Sequence, residues 1–580
     1  MSLLLLAKNG FGRSVPVPPE PDPQVQAADV WRWDGGSGAV RVASGWPLRP
    51  GALMPDALNT VIVRDDANQE VLRSVVALHG RFPDGSLRAV GIQFNAALED
   101  GVARQFSVSV GAGVCTQDLG AWVPIAYDSG SATLPGAQNL CAIIPADSAY
   151  WCSTFSALTP VQPEALDVPD DMATFFKTTG STENTLSRWA DYLHTTQGDA
   201  AIGVSTYEFV HGLLVAAMRS NDATRRRWFY QRFYACLRLH LGTYAIPSYT
   251  ADTGSGTVWS RVGQGADPSL PLGTGSGLPP EWHSVTAIGF AAGYLATAWA
   301  QPWRILAYYG SSTYGTNTEA TAITKYVGAS GTSSPRVNMM NQMWRMAAYV
   351  VGATMQVKAP PSGYGPGRDN DVASWSNDLL WSLKGLELYQ YTTANSSAYV
   401  DGIVGQRYSV AIGQVAGSFP TFQLSVVVRM LHFYYNNIAA DSRIPGWITS
   451  IANMVMTQFR QDGAVYTMPY WHVADPEDNT PVALNGEPND LKWYYSSFFS
   501  ELFGLAFGFT ANPIYRTWAL RCGATSQLAG FIKSYKALGE YFSGHQQSAK
   551  YYVDGGAVRA FAGAHPSAIT SLPTLSGPGH

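Results

Sequence analysis

The sequence predicts a multidomain β + α protein, an N-terminal β-barrel or sandwich followed by an (α/α)6-type helical toroid. Three observations carry that expectation. Short alternating apolar and polar runs, separated by hairpin-type turns, fill the stretch from about 29 to 150. Beyond residue 187 the pattern changes to longer segments of helical periodicity. One of these, 284–299, is apolar around its whole circumference, which suits only a helix buried on all sides.

Composition sets the outer bounds. A chain of 580 residues exceeds one ordinary core and implies several domains. With 46% hydrophobic and 14% charged residues it is globular, and a net charge of −5 offers no basic footprint, so no nucleic-acid partner is expected. The apolar run 284–299 contains Ser284, Thr286 and Thr297 and is too short for a membrane span, so no membrane insertion is expected either. The 18 Trp and 30 Tyr, set among polar and weakly charged loops, suit the stacking of sugar rings. Cys141 and Cys152 are close enough in sequence to pair across a loop, but free buried thiols are the expectation. No zinc-ligand spacing occurs, and neither a metal nor another cofactor is expected.

In chain order, residues 1–28 form a leader. Its Val15-Pro16-Val17-Pro18-Pro19-Glu20-Pro21-Asp22-Pro23 stretch favours an extended arm, either a tether to a larger assembly or a disordered segment. The short run Leu3–Leu6 has no basic residue before it, so no signal peptide is expected. Within 29–150, strands are expected at Thr60–Arg64, Val71–Leu78, Leu87–Phe94 and Arg104–Val110. Asp65-Asp66-Ala67-Asn68, Pro83-Asp84-Gly85-Ser86 and Glu99-Asp100-Gly101 punctuate them, and Gly85 suits a tight turn needing positive φ.

Here the chain resembles a known family. Gly45-Trp46-Pro47-Leu48-Arg49-Pro50-Gly51-Ala52-Leu53, followed by Arg81-Phe82-Pro83-Asp84-Gly85-Ser86-Leu87-Arg88-Ala89-Val90-Gly91-Ile92-Gln93-Phe94, resembles the N-terminal RIFT-type β-barrel of exo-rhamnogalacturonan-lyase-like proteins. The likeness covers roughly 45–110 and departs at Ala89, where that family commonly has Trp. The motif is a turn and its strand, so it carries over no catalytic residue. What the resemblance implies is a helical toroid after the barrel and activity on polysaccharide.

A connection fills 151–186 and the helical domain spans 187–542. Helices are expected at Arg188–Gln197, Ser205–Ser220, Ala223–Gly242, His283–Trp299, Val337–Val357 and Val372–Thr392. Further ones follow at Phe422–Asn437, Pro445–Phe459, Lys492–Phe509, Pro513–Arg521 and Gln527–Phe542. Eleven or twelve helices approach the six pairs of a toroid, although no repeat is visible as sequence identity. Residues 543–580 read as a tail.

Charges are scarce and gather at expected helix starts, which would face one end of the toroid's crevice. Tyr207, Glu208 and His211 share one helix, and Glu281, Trp282 and His283 open another after Pro279-Pro280. Arg368, Asp369, Asp371, Trp375, Asn377 and Asp378 surround a third; Trp471 and His472 sit in an expected loop, and Lys492, Trp493 and Tyr494 open a late helix. Acids at helix N-termini are stabilising in any protein, so Asp371 and Asp378 also fit as simple caps. A glycoside hydrolase would draw its two carboxylates from Glu281, Glu208, Asp369 and Asp371. A lyase would need a base and a cation, from His211, His283, Tyr207, Arg368 and Lys492. Trp282, Asp371, Trp375, Asn377, Trp471, His472, Lys492, Trp493 and Tyr494 are the expected substrate-binding set.

The leading expectation is a carbohydrate-active protein, lyase or hydrolase, with an acidic or deoxysugar-containing polysaccharide as partner. The rival from another class is a non-catalytic glycan-binding or structural component of a phage tail, joined to other virion proteins through the leader. Either places the protein outside the cell or on a virion.

Overall fold

The fold was obtained as a computed structural model. It describes residues 24–33, 35–82, 84–123, 141–155, 161–166, 209–245, 259–260, 287–299, 302, 419–420, 428–429, 431–432, 435, 443–462, 465–469, 471–472, 491–492 and 499–528.

The β unit begins with β1 (Gln24–Arg32), β2 (Gly38–Pro47), β3 (Ile62–Arg64) and β4 (Arg73–Ala77), and continues with β5 (Ala89–Leu98), β6 (Arg104–Val110) and β7 (Cys141–Pro145). Two antiparallel sheets result, in the orders β3-β6-β1-β7 and β2-β5-β4. Alternation along each strand sends Val30, Val42, Trp46, Val63, Val90, Ile92, Phe94, Phe106, Val108 and Ile143 into one shared apolar core. Edge strands β7 and β2 lie side by side, with the Ser44 hydroxyl donating to the Ile143 carbonyl at 3.3 Å.

The expected turn at 82–86 is present. Gly85 has φ +86°, its N–H donates to Phe82 O at 2.9 Å, and Asp84 Oδ1 accepts from Ser86 N–H and Oγ. Ser86 Oγ in turn accepts from Gly51 N–H at 2.9 Å, and Leu87 N–H donates to Leu53 O. The two halves of the sequence motif are therefore bonded to each other and have a structural role. Buried Arg73 caps the neighbouring 58–60 turn, its Nε donating to Val61 O at 2.8 Å.

After β7 the chain turns helical: α1 (Ser148–Thr154), α2 (Phe209–Arg219), α3 (Ala223–Thr243), then β8 (Tyr244–Ala245) and β9 (Trp259–Ser260), then α4 (Ala287–Thr297). Farther along come β10 (Phe419–Pro420), α5 (Arg443–Gln458), β11 (Arg460–Asp462), β12 (Val465–Pro469), β13 (Trp471–His472), β14 (Leu491–Lys492), α6 (Ser500–Thr510) and α7 (Pro513–Leu528). Asp147 starts α1 by accepting the Ala149 N–H, as an N-cap aspartate does. The helices pack as neighbours, α2 on α3, α5 on α6 and α6 on α7. The protein is therefore of mixed β + α class with antiparallel sheets. No described helix is long and apolar enough to cross a membrane.

Several expectations need correction. The first strand starts at Gln24, so five residues read as leader belong to the β unit; the prolines end at Pro23, and β1 itself contains none. Residues 29–150 also include the start of α1. Trp471 and His472, expected in a loop, pair antiparallel with Pro420 and Phe419. Lys492, expected to open a helix, pairs with Met468 in a strand, and the helix starts only at Ser500. Aromatic and β-branched residues crowd this region, and they pack on a pleated ribbon as readily as on a helix. The expected helices at Arg188–Gln197, Val337–Val357 and Val372–Thr392, and residues 1–23 of the leader, lie outside the described residues.

Candidate functional site

The seam between the β unit and the helices fixes α4. This helix, read from sequence as buried all round, has Ile288, Phe290, Ala291, Ala292, Leu295 and Ala296 all buried. Gly293 lets α3 approach, with Leu237 Cδ2 only 3.0 Å from where a Cβ would stand. At the C-terminal end the carbonyl of Ala296 accepts from Ser44 Oγ at 3.1 Å and from the Tyr230 hydroxyl at 3.2 Å. Helix-end carbonyls have no partner within their own helix, and here β2 and α3 supply it. Gly45 on β2 lies so close that any Cβ would overlap the Leu295 carbonyl. The glycine of the sequence motif is thus required by this contact.

Charge and aromatic packing complete the seam. Buried Asp29 on β1 accepts from Gln105 Nε2 and faces Arg227 Nη1 at 3.6 Å and Arg226 Nη1 at 3.9 Å, both arginines on α3. Trp31 and Trp33 meet Tyr230 and Tyr234 of α3 edge-on, with ring centroids from 5.2 to 6.5 Å apart, and Trp299 closes the cluster on Tyr234 at 4.5 Å. Such arrangements match the aromatic quadrupoles.

A second polar group lies within the helices. Arg429 Nε and Nη2 both donate to Glu501 Oε2, at 2.9 and 2.8 Å, with each side chain 3% exposed. His211 of α2 is fully buried, and His432, one turn on from Arg429, is 3% exposed. Burial pushes both imidazoles down to about 3, and the Arg429 charge pushes the same way. Both are therefore neutral near pH 7. The Arg429–Glu501 pair ties the helical residues around Arg429 to α6, and the Arg429 charge is felt by His211 of α2.

This predicts a definite acid response. An imidazole titrates near 6.5 when unfolded and near 3 here, so the folded state resists the proton that the unfolded chain accepts. The stabilisation is complete above about pH 6.5 and is lost as pH falls toward 3. Melting curves between pH 7 and 4 are expected to show a falling midpoint, with a shallower fall in His211→Gln. An equal slope in that variant would show that the histidine does not set the response.

Of the expected site residues, only His211 has a described side chain. It has no exposed surface, so contact with a substrate would require the cluster to open. The backbones of Trp471, His472 and Lys492 lie in β13 and β14. Tyr207, Glu208, Glu281, Trp282, His283, Arg368, Asp369, Asp371, Trp375, Asn377, Asp378, Trp493 and Tyr494 lie outside the described residues. Sequence reading passed over Arg429, His432 and Glu501. A signal was there: each is a polar residue within an otherwise apolar helical run, where a charge must find a partner. Cys141, Cys152 and Cys522 are buried, Cys115 is partly exposed, and none of these four forms a disulfide.

Comparisons of the chain with protein-family models, with curated proteins and with solved structures give no match.

Proposed function

We propose that this protein acts on carbohydrate, cleaving an acidic or deoxysugar-containing polysaccharide in a crevice of its helical part. The observation that carries the reading is the seam. An antiparallel β unit bearing the 81–94 turn and strand is locked onto the end of a wholly buried helix, α4. In the sequence, Glu281, Trp282 and His283 stand just before that helix, separated from it by Ser284, Val285 and Thr286. The resemblance to exo-rhamnogalacturonan-lyase-like proteins and the wealth of Trp and Tyr support it. In this reading the β unit closes as a barrel, the helices close as an (α/α)6 toroid, and the protein works outside the cell or on a virion.

The chemistry takes one of two forms. As a lyase, His283 or Tyr207 removes the proton at C5 of a uronate, while Arg368 or Lys492 neutralises its carboxylate. As a hydrolase, Glu281 pairs with Glu208, Asp369 or Asp371 across the glycosidic bond. The test is a screen against acidic polysaccharides, followed both by ultraviolet absorbance of an unsaturated product and by new reducing ends. Glu281→Gln keeps the shape of the side chain and is expected to lower turnover at least about 100-fold with little change in melting temperature. Full activity in that variant discards the assignment of Glu281. Binding without cleavage would move the protein to the glycan-binding class, with tail proteins as its partners.

A further inference from the structure

The turn between β4 and β5 carries a group of side chains that neither the core nor the expected site uses. Gly80, at φ +101°, turns the chain between His79 and Arg81. The His79 N–H donates to the hydroxyl oxygen of Tyr294 on α4 at 2.8 Å, and the two rings stack with centroids 6.2 Å apart. The turn therefore sits on the seam. Arg81 is half-buried, and its Nη1 donates to the carbonyls of Leu78 at 3.1 Å and Gly80 at 3.2 Å. Its Nε and Nη2 make no hydrogen bond to a described residue, and among the described residues no carboxylate pairs with it.

A guanidinium presents five N–H donors in a flat fork, and two parallel donors match a carboxylate. Here one nitrogen anchors the group to its own turn, which fixes the plane, and the remaining edge is left available. Partial burial lowers the Arg81 pKa, a sign of a cation held in a site that gives it too little solvation. Beneath it, Arg88 donates from Nε to the Arg81 carbonyl at 2.9 Å and lies over the Phe82 ring, adding a second positive charge. Burial raises the Tyr294 phenol well above its usual range, so it stays protonated and neutral beneath the turn. His79 is exposed at the rim.

We propose that Arg81, with His79 and Tyr294 around it, forms a carboxylate-binding site at the seam, which holds a uronate residue of an acidic saccharide. The proposal rests on the reading that the ligand is an acidic saccharide, and places one of its contacts on the β unit, outside the helical crevice. Arg81 pairs with the sugar carboxylate through Nε and Nη2 and exposed His79 flanks the sugar, while buried Tyr294 holds the turn from behind. A cation already oriented by its own turn loses little freedom on binding, which favours affinity.

The test is titration calorimetry of the full chain with oligogalacturonate, and with a neutral galacto-oligosaccharide as control. Arg81→Gln is expected to weaken oligogalacturonate binding at least about tenfold, with Arg81→Lys intermediate because it keeps charge but loses the fork. Binding of oligogalacturonate by wild type should weaken as salt rises. Tyr294→Phe, which leaves Arg81 intact, serves as a second variant if Arg81→Gln melts early, and is expected to weaken binding several-fold. Oligogalacturonate binding that is the same in wild type, Arg81→Gln and Tyr294→Phe overturns the site. Arg81-dependent binding without any cleavage upholds the site while removing the enzymatic reading, and cleavage that ignores Arg81 does the reverse. No binding of oligogalacturonate by wild type overturns the site outright.

Discussion

Arg429→Met is expected to destabilise the helical part by about 3–5 kcal/mol, because it leaves the Glu501 carboxylate buried without its guanidinium. Glu501→Leu alone should cost a similar amount for the converse reason. The double variant, Arg429→Met with Glu501→Leu, removes both charges together and is expected to regain most of the loss. Denaturant midpoints of the three variants decide the point. A double variant as weak as the sum of the singles would mean that the two charges do not act as a pair.

Gly45→Val is expected to prevent correct docking of the helices on the β unit. The added atoms would meet the backbone of Leu295 and Ala296, and a backbone cannot rotate aside as a flexible side chain can. Overpacking of a well-filled contact commonly costs about 1–3 kcal/mol, and a backbone clash belongs at or above the top of that range. Gly101→Ala is the comparison: it stands in open space at φ +69° and should cost only about 1 kcal/mol through backbone strain. Limited proteolysis and thermal melting report the difference. If Gly45→Val melts like wild type, β2 and α4 are not in the contact described.

The parts of this architecture visible in the sequence were those set by local chemistry. Arg104–Val110 could be read as β6 with its true limits, because alternation and the preceding Asp100-Gly101 turn fix both ends. Ala223 was the correct start of α3, after Ser220-Asn221-Asp222, where Asp222 Oδ1 accepts the Arg225 N–H. The apolar circumference of α4 correctly foretold burial on all sides. Strand β1 was missed because the proline run beside it dominated the reading. Strand β7 was expected only as a last strand of the β unit without limits, since the Gly/Pro/Ser/Thr-rich stretch around it marks no ends. Strands β13 and β14 are two residues long and depend on partners elsewhere in the chain, which no local pattern encodes.

The candidate site was less legible, and for a physical reason. Acids and histidines at helix starts look the same whether they cap a helix or face a substrate, since both uses favour the same positions. His211 illustrates the difficulty. Its spacing from Glu208 suggested a shared helix face, yet it is fully buried and feels the charge of Arg429, more than 200 residues away. Arg81 shows the opposite case. It was quoted only as part of a turn motif, and its open edge depends on how that turn meets Tyr294.

The most direct measurement of the central claim is mass spectrometry of oligogalacturonate and of a rhamnose-containing acidic oligosaccharide after incubation with the full chain. The account predicts shorter products in at least one of them: an unsaturated piece with no water added for a lyase, or pieces that together gain one water for a hydrolase. Both substrates recovered intact, with no binding detected to either, would contradict it.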